Sequence, residues 1–369
     1  MLIKHSICPS CSVGCGINLI CIDNEVVGTY PYKKHPINEG KNCSNGKNYY
    51  KINKKNSFKT PLKNSGNKLI EFDWDRTVGS ISEIISSYHS DEIGIISSGK
   101  ITNEEATFLK NFAKKKGIRK IGVYSHNFPK ISTEKLISNY DELNNAPFLF
   151  IIGDIFVKNP LIGRRIAIAS DNGSKIFSAD YSDTSITSIN SDNYFKISSI
   201  TEFLNNFPKE IENELNKDSV IIFNQLEDKE DFEKIEKISN NNDSKILPVL
   251  SDPNSYGTME YLPTLDKNDL IDLIDGVKVL IIINSDIGDY FGHAEINSKL
   301  KKLDEIMFLT ESLPEYMSNF DYVLPIPQMS EKSGTLTNTI GKSQSFEKVV
   351  RKDESVFSIE KIFNEILKD

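Results

Sequence analysis

The fold class is decided by residues 93–105, whose sequence is IGIISSGKITNEE. The apolar run at its start predicts a buried strand, and Ser97-Ser98-Gly99 predicts the small-residue turn that ends it. Thr102-Asn103-Glu104-Glu105 then has the polar cap and acidic first turn of a helix, which we expect to run to about Lys116. A strand, a glycine turn and a helix in this order indicate a parallel α/β sheet.

The same unit recurs along the chain. Residues 147–153 (PFLFIIG) predict a second buried strand, followed by Asn159-Pro160 and a helix. Further strands are predicted at 121–124, 174–180, 219–223, 245–250, 277–283, 306–310 and 322–326. Helices are predicted from Asp73 onward and at 201–216, 229–238, 267–274 and 292–303. Residues 30–62 are polar and irregular, and we expect a loop-rich wrap there.

Length and charge limit the possible functions. The 369 residues suffice for two or three domains. The formal net charge of −8 disfavours a protein that binds nucleic acid through its phosphates. No run is apolar enough for a membrane span, and the first residues lack the long apolar segment of a secretion signal. We therefore expect a cytoplasmic protein with no membrane span and no nucleic-acid partner.

The cysteines point to a metal centre. All five lie within the first 43 residues, and four of them, Cys8, Cys11, Cys15 and Cys43, have the spacing C-x2-C-x3-C-x27-C. Soft thiolates suit iron–sulfur clusters or zinc. The glycines around the first three favour [4Fe–4S], and a structural zinc ribbon is the alternative. Cys21 is expected to pack inside a hairpin within residues 17–27, with a reactive thiol as the alternative.

Further motifs follow in an order that resembles the sequences of the molybdenum/tungsten bis-pterin oxidoreductase superfamily, which includes formate dehydrogenase catalytic subunits. After the cysteines come TPL at 60–62, EFDWD at 71–75, SGKITNEE at 98–105, DYVLP at 321–325 and EKSGTLTNTIGKSQ at 331–344. They are similar to the family's T-P-L, S-W-D-E-A, S-G-x-x-x-N-E-E, A-D-V-V-L-P and E-K-x-G-T-x-x-N-x-E-G-R-x-Q segments. Ile340 and Lys342 depart from the Glu and Arg of the last pattern.

The resemblance implies an α/β architecture in which a small N-terminal [4Fe–4S] domain leans on two Rossmann-like α/β domains. The expected division is 1–62 for the cluster domain, 63–125 plus 275–345 for a discontinuous first α/β domain, 126–274 for the second, and 346–369 for a C-terminal helix or tail. The chain ends about 25 residues after Gln344. The pterin-capping barrel of full-size members is therefore expected to be absent, as in the B subunit of formylmethanofuran dehydrogenase.

Two cofactors follow from the resemblance: the [4Fe–4S] cluster, and molybdopterin guanine dinucleotide with Mo or W. Loops after strands bring backbone N–H groups to phosphates. The residues expected to bind cofactor in such loops are Gly99, Asn103, Gly153, Asp154, Asn159, Asp180, Thr184, Ser285, Asp286, Gly334 and Thr335. Asp180 and Thr184 match the ends of the family's D-P-R-x-T loop, whose Pro and Arg are absent here. Ordinary α/β turns are the alternative for each loop.

This sequence departs furthest from the family at the position that binds the metal in many members. Where many members have Cys or selenocysteine followed by His, this chain has Ser125-His126. Ser125 is the candidate metal ligand and His126 the candidate proton relay, unless both merely end a strand. The family's lysine between cluster and pterin is replaced by Asn45, and Lys47 is the candidate substitute.

Two functions remain open at this point. The first is an iron–sulfur, pterin-dependent subunit acting on a C1 substrate of the formyl-methanofuran/CO2 or formate type, in a methanogen-like setting. It would work with other subunits, including a separate pterin-capping subunit, and with a ferredoxin-like electron carrier. The alternative is a non-catalytic relative that serves as an electron-transfer or scaffold subunit without bound pterin.

Overall fold

The computed structural model describes most of the chain. It describes residues 1–52, 57–66, 68–124, 133–285, 287, 293–313 and 320–366. The predicted catalytic pair Ser125 and His126, and the predicted cofactor-binding Asp286, lie outside the described residues. None of the described helices has the length and apolar character required to cross a membrane.

The described strands and helices alternate along most of the sequence. The strands are β1 (Leu2–Ile7), β2 (Gly16–Ile22), β3 (Glu25–Pro31), β4 (Leu62–Asn64), β5 (Leu69–Glu71), β6 (Ile93–Ser97), β7 (Lys120–Val123), β8 (Phe148–Ile152), β9 (Lys175–Asp180), β10 (Asn193–Lys196), β11 (Val220–Phe223), β12 (Lys245–Pro248), β13 (Val279–Ile283), β14 (Glu305–Thr310), β15 (Tyr322–Pro325), β16 (Gly334–Thr337) and β17 (Ser343–Phe346). The α-helices are α1 (Ser44–Ile52), α2 (Trp74–Ser87), α3 (Asn103–Lys116), α4 (Asp141–Asn145), α5 (Ile155–Lys158), α6 (Pro160–Asp171), α7 (Ile186–Ile189), α8 (Ile200–Asn205), α9 (Lys209–Glu212), α10 (Lys229–Asn242), α11 (Ser255–Tyr261), α12 (Lys267–Asp275), α13 (His293–Leu300) and α14 (Ile359–Ile366).

Two large sheets organise the chain, as the α/β prediction required. One has the strand order β10-β9-β8-β11-β12, and all of its pairs are parallel. The other has the order β5-β4-β15-β14-β13-β6-β7 and is parallel except at its β5-β4-β15 end. Strands β6, β8 and β13 are buried along their whole length, which explains their continuous apolar sequences.

The larger sheet is assembled from two distant parts of the sequence. Strand β6 pairs in parallel with β13, so that Ile95 lies opposite Ile281. All strands of the five-stranded sheet lie between these two in the sequence. This arrangement is what a discontinuous first α/β domain would require, although the exact division at 125 and 275 stays a prediction.

A smaller antiparallel sheet of β1, β2 and β3 carries the cysteine loop. The β2–β3 hairpin turns at Asp23 and Asn24, which both have left-handed backbone angles, with φ of 49° and 65°. The Cys21 side chain is buried within this hairpin, as expected.

Two local predictions were wrong. The segment 30–62 is not irregular throughout, because Ser44–Ile52 forms α1. The single helix predicted at 201–216 is two short helices, α8 and α9, because Pro208 caps the start of α9. A proline removes a backbone donor and disfavours helical angles in the residue before it, so it separates the two.

A buried amide joins the start of α3 to strand β16. The Asn254 side chain donates to Ile101 O at 2.8 Å and to Asn103 Oδ1 at 3.0 Å, and accepts from Thr337 N at 2.6 Å. Asn254 precedes α11, so one fully buried side chain fixes three segments that are far apart in the sequence. Such a network is stabilising only while every member is paired.

Asn254→Ala should therefore lower the free energy of unfolding by about 3 kcal/mol, because it leaves buried donors and acceptors without partners. Urea unfolding followed by circular dichroism measures the change. Asn206→Ala is the matched control, since that exposed amide bonds only Glu202 O. Equal stability of the two variants would contradict the role given to Asn254.

Candidate functional site

The four predicted cluster ligands converge on one cavity. Residues 8–15 form the loop between β1 and β2, and the Cys8 N–H closes it by donating to Cys15 O at 2.8 Å. Cys43 directly precedes α1, and its carbonyl accepts from Lys47 N at 3.0 Å. All four cysteines line a cavity with about 460 Å³ of space outside protein atoms, including open solvent at its mouth.

The thiols are buried close to one another. Burial raises the pKa of Cys8 and Cys15, and the negative charge of neighbouring cysteines raises each further. For Cys11, burial followed by the charge on Cys8 raises the pKa to about 12. Each cysteine is therefore within electrostatic reach of the others, as thiolates around one metal centre must be.

The donor set fits a [4Fe–4S] cluster. Four thiolates in a cavity are the usual ligands of such a cluster, which spreads them over the corners of a cubane. Gly46 borders the same cavity, because a Cβ there would lie 3.6 Å from Cys8 Sγ, in ordinary van der Waals contact.

The cysteine loop is held in place by distant parts of the chain. The Tyr140 hydroxyl donates to Val13 O at 2.9 Å, and the Gln344 amide donates to Gly14 O at 3.1 Å. Ser12 O accepts from Thr339 N at 2.8 Å. The Ser12 hydroxyl donates to Leu250 O at 2.7 Å. Gln344 belongs to the late motif of the sequence, whereas nothing in the sequence singled out Tyr140.

Asn159, which was predicted to bind cofactor, lies in the cluster cavity. Its side chain lines that cavity together with Cys11, and its Oδ1 accepts from Asn224 Nδ2 at 3.1 Å. Asn224 in turn donates to Asp154 O at 3.3 Å. The loop after β8 thereby reaches the cluster cavity, and Asn224 ties its two ends together.

The predicted substitute for the family's lysine, Lys47, does not belong to the lining of the cluster cavity. The Lys47 side chain is exposed on α1, and Asn45, which occupies the family's lysine position, lines the mouth of the cluster cavity. The role given to Lys47 stays a prediction.

Four predicted cofactor-binding residues meet where the two parts of the larger sheet join. Gly99 N donates to Asp252 Oδ2 at 3.1 Å. The Asn103 amide donates to Thr335 Oγ1 at 3.1 Å and to Thr337 Oγ1 at 3.0 Å. A Cβ at Gly334 would lie 2.8 Å from the Thr102 methyl group. These residues are brought close together, and Asn103 and Thr335 bond each other directly.

Ser285 differs from its neighbours in having an unpaired polar atom. It follows β13, is 3% exposed, and its hydroxyl has no hydrogen-bond partner among the described residues. The adjacent Ser98 hydroxyl donates to Asn284 O at 2.6 Å, which places Ser285 beside the turn that ends β6. A buried hydroxyl without a partner is available to a ligand.

The remaining predicted residues lie at the carboxyl ends of β8 and β9. Gly153, with φ of 90°, donates from its N–H to Ala179 O at 2.9 Å. Asp154 accepts from the Thr187 hydroxyl at 2.7 Å. Asp180 accepts at Oδ1 from Tyr181 N at 2.8 Å, and Thr184 is exposed in the following turn. Their roles toward a pterin stay predictions.

A buried ion cluster joins two of the sequence motifs and had no predicted role. Lys332 Nζ lies 3.0 Å from Glu105 Oε2 and 3.6 Å from Glu311 Oε1. Burial alone would lower the pKa of Lys332, but the two carboxylates outweigh it and raise that pKa. Burial raises the pKa of Glu311, which also accepts from Asn284 Nδ2 at 3.1 Å.

Two protein-family models match the chain. The Molybdopterin oxidoreductase Fe4S4 domain matches residues 1–54, and the Molybdopterin oxidoreductase family matches residues 29–368. The F420-dependent formate dehydrogenase subunit alpha of Methanocaldococcus jannaschii is 36% identical over 207 residues, which are 53% of this chain and 30% of the relative. The F420-dependent formate dehydrogenase 1 subunit alpha of Methanococcus maripaludis is 32% identical over 188 residues, which are 48% of this chain and 28% of the relative.

The solved structure of acetylene hydratase from Pelobacter acetylenicus has a similar fold. It superposes with a TM-score of 0.66 and covers 98% of this chain and 68% of that protein, at 13% identity. The aligned part of the chain spans less than a third of the two formate dehydrogenase subunits. At such low identity the structural likeness concerns the fold alone.

Replacing one ligand should remove the cluster, because Cys11 occupies a corner that no other described side chain can fill. The anaerobically prepared protein should contain about four irons per chain, and Cys11→Ala should lose them. Cys21→Ala is the control and should keep its iron, since Cys21 lies in the hairpin rather than in the cluster cavity. Iron and zinc are measured together by plasma mass spectrometry, and one zinc without iron in the parent protein would refute the assignment.

A second prediction concerns the backbone of the ligand loop. Gly14 has φ of 79°, and a Cβ there would lie 2.2 Å from Gln344 Oε1 and 2.8 Å from Asn338 Cβ. Gly14→Ala should therefore displace the loop and reduce the iron retained after anaerobic gel filtration. The control is Gly66→Ala, which has φ of 61° but nothing within 4 Å of its Cβ. Equal iron in the two variants would show that the close packing of Gly14 does not matter.

Proposed function

We propose, from the premise that the chain belongs to the molybdopterin oxidoreductase family, that it is the pterin-binding subunit of an enzyme acting on a C1 substrate. The family match covers most of the chain, and the Fe4S4 domain lies at its N-terminus. The substrate is formate, or the formyl group of a formyl-methanofuran-type compound. Electrons pass through the [4Fe–4S] cluster to an external carrier.

The observation that carries this proposal is the joint presence of a four-thiolate cavity and similarity to two formate dehydrogenase alpha subunits. The unpaired Ser285 hydroxyl supports a ligand beside the β6 turn. Because those relatives are named as subunits, we expect this chain to work with others. A separate pterin-capping subunit and a ferredoxin-like carrier are the partners proposed.

The chain's own residues would divide the chemistry between two places. When bound, the pterin-held Mo or W would accept two electrons from formate, and the cluster would pass them on singly. Oxidation of formate to CO2 releases one proton with the two electrons, and the His126 imidazole is the proposed acceptor of that proton. Ser125 is the proposed oxygen ligand of the metal. Cys8, Cys11, Cys15 and Cys43 would hold the cluster in the cavity that they line.

The non-catalytic alternative has one specific observation in its favour. The polar groups of Gly99 and Asn103 are already hydrogen-bonded within the chain. A subunit that keeps its cluster but binds no pterin would show the same pairing. It would serve as an electron conduit or scaffold.

The deciding experiment is metal and nucleotide analysis of the anaerobically purified full chain with its co-purifying partners. The catalytic proposal expects iron together with Mo or W, guanine nucleotide released on denaturation, and substrate-dependent reduction of a viologen dye. Formate and a formyl-methanofuran-type donor are assayed separately. Ser125→Ala should abolish turnover while sparing iron, because only the proposed oxygen ligand is lost.

Ser86→Ala is the control for this variant, since its exposed hydroxyl bonds only Ser82 O. Iron without Mo, W or guanine nucleotide would overturn the catalytic proposal in favour of the conduit. Full turnover in Ser125→Ala would overturn the role of Ser125 alone.

A further inference from the structure

A relay of two amide side chains connects the loop segments that carry Cys15 and Cys43. The Asn38 Oδ1 accepts from Gly16 N at 2.9 Å, and its Nδ2 donates to Gly16 O at 3.0 Å. Because it bonds both the donor and the acceptor of Gly16, the orientation of the Asn38 amide is fixed. Lys41 O also lies 2.9 Å from Asn38 Nδ2, so the two hydrogens of this amide are shared among three acceptors, Gly16 O, Lys41 O and Asn42 Oδ1.

This relay determines which way Asn42 points. Asn38 Nδ2 donates to Asn42 Oδ1 at 2.9 Å, so the oxygen of Asn42 faces Asn38 and its Nδ2 faces away. Asn42 precedes Cys43 in sequence and lines the cavity that contains all four ligand cysteines. Nearby, a Cβ on Gly46 would lie 3.6 Å from both Asn42 Cβ and Cys8 Sγ.

The Asn42 Nδ2 atom is buried and has no hydrogen-bond partner among the described residues. Leaving a buried donor unpaired costs about 1–3 kcal/mol, so native proteins rarely tolerate it without a ligand or water. The cluster is the ligand that belongs in this cavity, and its sulfur atoms accept hydrogen bonds.

We propose that the Asn42 side-chain amide donates an N–H···S hydrogen bond to the bound [4Fe–4S] cluster and thereby raises its reduction potential. Reduction adds one electron to the cluster, and the added negative charge strengthens a hydrogen bond to its sulfur. The donor therefore stabilises the reduced state more than the oxidised state. The inference needs only the cluster and is independent of the substrate and of pterin binding.

The test is a redox titration of the reduced cluster's electron paramagnetic resonance signal in the anaerobic full chain. Asn42→Leu removes the donor while keeping a side chain of similar volume. It should shift the reduction equilibrium about tenfold toward the oxidised form, which lowers the one-electron reduction potential by about 59 mV. Asn42→Asp keeps the oxygen that Asn38 bonds, removes the donor and adds charge. It should shift the equilibrium at least as far in the same direction.

Asn48→Leu is the matched control and should leave the potential unchanged, because the side chain of this exposed asparagine on α1 has Ser44 O as its one hydrogen-bond partner among the described residues. Iron content is measured for every variant, so that cluster loss is distinguished from a changed potential. An unchanged potential in iron-replete Asn42→Leu or Asn42→Asp would overturn the inference, as would an equal shift in Asn48→Leu.

A spectroscopic readout covers the case in which both Asn42 variants lose iron. Asparagine labelled with 15N at its side chain is incorporated, and nitrogen coupling to the reduced cluster is recorded by pulsed electron paramagnetic resonance. In Asn159→Leu, the coupling should persist, because Asn42 still donates to a sulfur. Absence of coupling in that variant, with iron retained, would show that Asn42 makes no such bond.

Discussion

The backbone of Ser12, Val13 and Gly14 is the constraint on which the rest of the structure depends. Three thiolates of this loop can surround one centre only if the peptide between them is held rigidly, and a loop that short has few internal bonds. The missing partners come from outside: Tyr140 and Gln344 bond its carbonyls, and Thr339 and Leu250 bond Ser12. The ligand loop is therefore held by segments more than a hundred residues away in the sequence, which come from around the five-stranded sheet and from the β16–β17 pair.

Contacts between distant segments also explain why the late motif, residues 331–344, packs against the early motif, residues 98–105. Polar residues of the late motif make buried contacts with the early one. The Thr337 hydroxyl accepts a hydrogen bond from the Asn103 amide, and Lys332 forms an ion pair with Glu105. A buried ion pair adds little net stability but penalises any arrangement that separates its partners. The ion pair of Lys332 with the first turn of α3 thus fixes the position of strand β16 relative to that helix. Asn254 reinforces this position from the side of α11.

The sequence predicted those parts of the molecule that depend on local pattern. Strands such as β8 and β13 are buried on both faces, so their apolar runs are unambiguous, and the cysteine spacing is itself the ligand set. It did not predict β10, whose residues are only partly buried, or α1, whose polar sequence masks its helical pattern. Tyr140 and Asn42 could not have been found, because their roles arise from contacts between segments remote in sequence. Asn159 was predicted to bind cofactor in a pterin loop, and the structure places it in the lining of the cluster cavity.

The position of Asn159 bears on which residues are informative about catalysis. The loop after β8 reaches the cluster cavity at Asn159 and is held by Asn224, so these polar residues would have a structural role in any subunit that keeps the cluster, with or without a pterin. Gly99 and Asn103 are likewise accounted for by bonds that hold the fold together. A residue argues for a ligand only when the folded chain leaves its polar group unsatisfied, because that cost must be offset by something bound. Ser285 meets this condition beside the β6 turn, and Asn42 meets it in the cluster cavity. Other buried polar atoms of the described residues are also unpaired, but Ser285 is at a predicted cofactor loop and Asn42 lines the cysteine cavity, so these two carry the physical case for bound cofactors.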